Sequence, residues 1–222
     1  MEIKQQFSTV NTTPLKNRKI EYIVIHYTAG TSSAPGKAAA TAAYFAKDTT
    51  KASADFIVDD SNVVQFNPDP ANRYSWHCGG SKQATAGGQY YSKCTNKNSL
   101  GIEICSNNAM GKMTAANDDN WYFTDDAVLL AQELVKKLMV EYGIPPENVI
   151  RHYDVTGKLC PGIYGWNAES GDDSEWEDFK AAIITRNDAV GAVDTFGDYQ
   201  ELLERYNELK AKYDAIVAII NS

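Results

Sequence analysis

The sequence predicts an α/β fold: a mixed central β-sheet flanked by helices, in one domain with a C-terminal helical tail. Two kinds of segment predict it. Short apolar runs rich in β-branched residues recur at 20–25, 100–105 and 149–151, and helix-periodic stretches lie between and after them. A chain of 222 residues with 43% hydrophobic content can bury one substantial core and carry an appendage.

Residues 20–25 (IEYIVI) read as a buried central strand, followed at once by His26, Thr28 and Gly30 in a polar loop. The Ala-rich stretch 36–47 follows the Pro35-Gly36 punctuation and has high helix propensity. Residues 56–58 and 63–66 flank Asp59-Asp60-Ser61-Asn62, which predicts a hairpin. Residues 67–98, rich in Gly, Ser, Asn and Tyr, read as a long irregular loop, and loops of that length commonly carry function.

LGIEIC at 100–105 is the next strand, with Glu103 facing away from Ile102 and Ile104. Thr124 is placed to cap a helix whose Ala127, Leu130, Leu134, Leu138 and Met139 recur at helical spacing, closed by Gly143 and Pro145. A short strand at 149–151 delivers His152, and Ser174 with Glu177 forms a capping box for a last domain helix through Trp176, Phe179 and Ile183. From Ala189 the character changes. Tyr199, Leu202, Tyr206, Leu209, Tyr213, Ile216 and Ile220 keep a 3-4 spacing over about three heptads. This segment, 188–222, is open to three readings: a docked helix, a coiled coil forming a homo-oligomer, or a stalk toward another module.

Composition narrows the function. With 29 acidic against 21 basic residues the net charge is -8, which argues against affinity through nucleic-acid phosphates. Residues 1–10 have neither the apolar core of a signal peptide nor a membrane span, so synthesis in the cytoplasm is expected. Four cysteines are too few for a disulfide scaffold, and their spacing matches no zinc-finger pattern.

Two of the three histidines, His26 and His152, stand where an apolar strand meets a loop, and Cys160 lies eight residues beyond His152 in a turn-rich segment. Two imidazoles and a thiolate suit zinc, with a fourth tetrahedral position left for water. A carboxylate at Glu103, among apolar neighbours, should have a raised pKa and move protons near neutrality. Cys105, ending its strand, reads as a buried thiol.

Together, IVIHYTAG (23–30), NSLGIEIC (98–105) and RHYDVTGKLCPG (151–162) resemble the type-2 N-acetylmuramoyl-L-alanine amidases, which include phage endolysins and peptidoglycan recognition proteins. The resemblance covers about residues 18–185, and its H-x5-K-x-C element is specific. It implies a zinc amidase catalytic domain at 1–187 with Zn2+ held by His26, His152 and Cys160. Glu103 is implied as general acid/base, and Lys158 as the cation meeting the oxyanion. The implied partner is bacterial peptidoglycan, cut between the N-acetylmuramic acid lactyl group and L-alanine. The implied setting is a phage or prophage endolysin that reaches the wall after release.

Within the same resemblance, Trp76-His77-Cys78-Gly79 matches a loop beside the substrate groove, so His77, Trp76 and Tyr27 are expected at the substrate, although Trp76 could equally pack in the core. Ala54 stands where some phage relatives carry a tyrosine that assists catalysis, which shifts weight onto Glu103. Asp55 either orients a ligand imidazole from the second shell or is a plain loop acid. Cys78 and Cys94 could close a disulfide if the protein works outside the cell. Two other functions fit the same residues: a peptidoglycan-binding protein that does not cut, and a thiol hydrolase with Cys160 as nucleophile and His152 as base.

Overall fold

A computed structural model describes residues 1–164 and 173–184. The strands are β1 (Ile3–Gln5), β2 (Thr12–Pro14), β3 (Tyr22–Tyr27), β4 (Phe56–Val58), β5 (Val63–Gln65), β6 (Arg73–Ser75), β7 (Ser99–Ile104), β8 (Asn107–Asn108), β9 (Trp121–Tyr122) and β10 (Val149–Arg151). The helices are α1 (Lys37–Phe45), α2 (Asp125–Tyr142), α3 (His152–Thr156) and α4 (Ser174–Ile184). The heptad segment 188–222 lies outside the described residues.

Six strands form the main sheet in the order β1-β5-β4-β7-β3-β10, and only the β4–β5 hairpin is antiparallel. The mixed sheet expected from the sequence is therefore present. Ile23, Val24 and Ile25 of β3 are wholly buried, as an all-apolar run between two neighbouring strands requires.

Register decides which side chains share a face. His26 pairs with Glu103 on β7, which pairs in turn with Ile57 on β4. These three residues therefore project from one face of the sheet, while the alternating residues Ile25, Ile102 and Phe56 project from the other. On the His26 face, α1 packs Ala38, Ala42 and Phe45 against Ile57 and Val64.

The longest helix, α2, buries Ala127, Ala131, Leu134, Val135, Leu138 and Met139, a stripe at helical spacing, and packs on β4, β5 and β7. Thr124 caps it, its hydroxyl accepting from Ala127 N–H and donating to Asp60 at 2.5 Å. Gly143, at φ 65°, ends it in the left-handed conformation that glycine adopts without a Cβ penalty. The N-terminus of α4 is shifted by one residue from expectation: Glu177 N–H bonds Asp173 C=O, so Asp173 rather than Ser174 precedes the first turn.

Candidate active site

β3 carries His26 on the sheet face set by its register. β10 lies beside β3 with Arg151 opposite Ile25, so the next residue, His152, emerges level with His26 as the first residue of α3. The chain then returns at Gly157, whose φ of 81° allows the reversal, and Tyr153 N–H bonds Cys160 C=O at 2.9 Å. That bond brings the thiol back over the start of α3. Arg151 anchors the arrangement: its guanidinium pairs with Asp154 at 2.8 Å and Asp173 at 2.5 Å, and lies over the rings of Tyr153 and Trp176.

The ligand atoms of His26, His152 and Cys160 all lie within 4.8 Å of one another, and all three residues are buried. Cys160 Sγ stands 3.6 Å from His26 Nδ1, and the two histidine rings meet edge-on with centroids 4.8 Å apart. Both ring nitrogens of His152 are buried without a hydrogen-bond partner among the described residues. Buried polar atoms are rarely left in that state, and a metal ion bound here would satisfy them. Burial drives His26 well below the ordinary histidine pKa and His152 down to about 3, which keeps both imidazoles neutral as ligands must be. Burial also pushes the Cys160 thiol up to about 12, so without a metal it is no nucleophile at neutral pH. The donor set fits zinc.

A cleft of about 530 Å³ opens over these residues. Glu103 lines it beside His26. Its Oε2 is buried and unpartnered among the described residues, and desolvation lifts its carboxyl to about 8 against the pull of Lys158. Exposed Lys158, Tyr27, Trp76 and Tyr44 complete the walls. Burial raises the Tyr27 phenol to about 12, and its ring stands against Trp121. Trp76 is half-buried, its indole N–H donating to Thr13 Oγ1 at 2.9 Å while the residue still borders the cleft. A second cleft of about 350 Å³ continues from Glu103 and Tyr44 along α1 toward Lys37.

The surroundings of three further candidates are as follows. His77 borders the cleft but is 8% exposed, and its two nitrogens engage His26 Nε2 and Ser99 Oγ, each at 3.1 Å. Burial opposes charge on its ring, and the adjacent Cys78 sulfur favours it, with a net rise. Asp55 orients no ligand imidazole, because its carboxylate accepts from Asn67, Ser75 and the Gly101 N–H. Cys78 and Cys94 are neighbouring free thiols in an apolar cluster with Val24, Ile150 and Val155. The Cys78 thiol is engaged, donating to Asn96 Oδ1 at 3.3 Å.

Residues 16–163 match the family model described as N-acetylmuramoyl-L-alanine amidase. The chain belongs to this family. Among curated members of the amidase family, CwlH of Bacillus subtilis (strain 168) is 37% identical over 150 residues, 66% of this chain and 50% of that protein. CwlA of the same organism is 34% identical over 143 residues, 64% of this chain and 43% of that one. The chain spans about half the length, or less, of these relatives. Among solved structures, the catalytic domain of XlyA superposes with a TM-score of 0.58 at 32% identity, covering 82% of this chain and 99% of that domain. PlyL gives 0.57 at 26% identity, covering 87% and 100%. The amidase-family fold thus accounts for the described domain. No helix among the described residues is long and apolar enough to cross a membrane.

Proposed function

We propose that this chain is a zinc-dependent N-acetylmuramoyl-L-alanine amidase of the endolysin kind, hydrolysing the amide between the lactyl group of N-acetylmuramic acid and L-alanine in bacterial peptidoglycan. One observation carries the reading: three neutral, buried donors converge on the floor of a cleft whose wall holds a carboxyl with a raised pKa and one buried oxygen unpartnered among the described residues. His26, His152 and Cys160 would hold the zinc. When bound, zinc supplies Lewis acidity, lowering the pKa of water and polarising a carbonyl.

The chain's own residues do the rest. Glu103 takes a proton from the attacking water and returns it to the departing L-alanine nitrogen, so the C–N bond breaks as a C–O bond forms and the proton count balances. A group titrating near 8 can run in both directions at neutral pH. Lys158 presents its ammonium to the negative charge that grows on the carbonyl oxygen, which stabilises the transition state more than the ground state. Tyr27 and Trp76 provide flat walls for sugar and stem peptide. The enzyme would act on the wall after leaving the cytoplasm.

Digestion of purified cell wall by the zinc-loaded protein tests this. Free amino groups should appear without new reducing sugars, and mass spectrometry should find intact stem peptides ending in a free L-alanine amine. Cys160→Ser should lose both metal and activity. New reducing ends would instead indicate a glycosidase, and an undigested wall would indicate a binding protein.

A further inference from the structure

A chain of hydrogen bonds runs from His26 through His77 and Ser99, and its far end is a backbone carbonyl. Ser99 Oγ–H donates to Thr95 C=O at 2.6 Å. That donation uses the only hydrogen on the hydroxyl, so at 3.1 Å Ser99 Oγ accepts from His77, and the proton of His77 sits on Nε2. A neutral His77 then has its lone pair on Nδ1. His26 Nε2, 3.1 Å from that atom, must be the donor. The remaining lone pair of His26 lies on Nδ1, the nitrogen that faces Cys160 Sγ. Every proton in the chain follows from one carbonyl that can only accept.

The surroundings hold the chain in place. Asn96 Oδ1 accepts from the backbone N–H of both His77 and Cys78, at 3.0 and 2.8 Å, and fixes the loop at this point. The Cys78 thiol also donates to Asn96 Oδ1, at 3.3 Å, and ties the next residue to the same anchor. Gly101 leaves the room the ring needs, since a Cβ there would come within 2.6 Å of His77 Cγ. Asp55 Oδ2 accepts from Gly101 N–H at 2.8 Å and holds that stretch of β7 against the ring.

The geometry points to His77 and Ser99 as positioning residues that set the tautomer of His26, so that Nδ1 is delivered as a metal ligand. The inference rests on the proposed zinc site only for the use made of Nδ1; the tautomer itself belongs to the metal-free protein. A buried ligand imidazole whose other nitrogen is held by a fixed acceptor loses little orientational freedom when metal arrives, and such outer partners commonly contribute 10–100-fold in affinity.

Two measurements on the full chain test it. In the metal-free, ¹⁵N-labelled protein, long-range ring correlations should show both His26 and His77 protonated at Nε2 alone. A proton on His26 Nδ1, or a doubly protonated His77, overturns the inference. Zinc affinity, measured by competition with a chromophoric chelator, should weaken about 10–100-fold in His77→Ala. His77→Asn, whose Oδ1 can stand where Nδ1 stood, should recover most of the loss, and Ser99→Ala should weaken binding several-fold with His26 in mixed tautomers. Unchanged affinity in folded His77→Ala, or equal loss in the Asn variant, counts against the relay. If the wild type binds no zinc, the zinc reading fails while the ring correlations still decide the relay.

Discussion

Glu103 shows how one side chain serves two opposed demands. Its carboxyl is lifted to about 8 because it is buried beside apolar strand neighbours, and a buried, unpartnered oxygen is costly once it is charged. Glu103→Gln should therefore cut the turnover number by about 10²–10⁴-fold, the usual contribution of a positioned acid/base, while zinc content stays unchanged. The same variant should be more stable than wild type in the metal-free state at pH 8, as read by thermal denaturation. A simple loss of fold would give the opposite sign. The convergence of His26, His152 and Cys160 beside Glu103 was legible in the sequence because each stands at a strand end or in a specific motif. The place of His77 was not, since its partners, Ser99 and the space over Gly101, come from another strand and only the register brings them together.

At the scale of elements, the junction of β10 and α3 carries the most chemistry in the fewest residues. Arg151 is the last residue of the strand, and its guanidinium satisfies Asp154, Asp173 and the Tyr164 carbonyl while it is itself buried. Breaking a buried pair by deleting one partner leaves uncompensated charge and costs about 3–5 kcal/mol. Arg151→Ala should lose about 3 kcal/mol of unfolding free energy in urea titration, near the low end because Asp173 is partly exposed. Zinc affinity should fall with it, since His152 is the next residue. The strand at 149–151 and the helices α1 and α2 could be read from apolar spacing. β1 and the β2–β6 pair could not: Ile3–Gln5 and Thr12–Pro14 are short and largely polar, and their pairing is set by distant partners at Val63–Gln65 and Arg73–Ser75.

The whole molecule registers the site through its stability. In the metal-free protein His152 is depressed to about 3 and His26 shifts the same way, so protonating them favours the unfolded chain, and their contribution is lost as pH falls from the ordinary histidine value of 6.5. Glu103 acts in reverse. Raised from 4.5 to about 8, it contributes fully below 4.5 and loses that contribution as pH climbs through 8. Two histidines outweigh one carboxyl below 6.5, and the carboxyl acts alone among these groups above it. On these groups the metal-free protein should be most stable near pH 6.5 and decline toward pH 8, a decline that Glu103→Gln makes shallower. The gain in melting temperature on adding zinc should grow with pH, because the thiol must lose its proton to bind. Denaturation scans across pH 5–9 with and without chelator check both trends.

The position of β10 at the rim of the sheet has a last consequence. One imidazole hangs from a strand hemmed in on both sides, the other from the residue just after a three-residue strand that has, among the described residues, a neighbour on one side only. An ion gripping both would act as a clasp, sewing the seam of the sheet to its middle, so that arming the site and closing the edge of the fold become a single event.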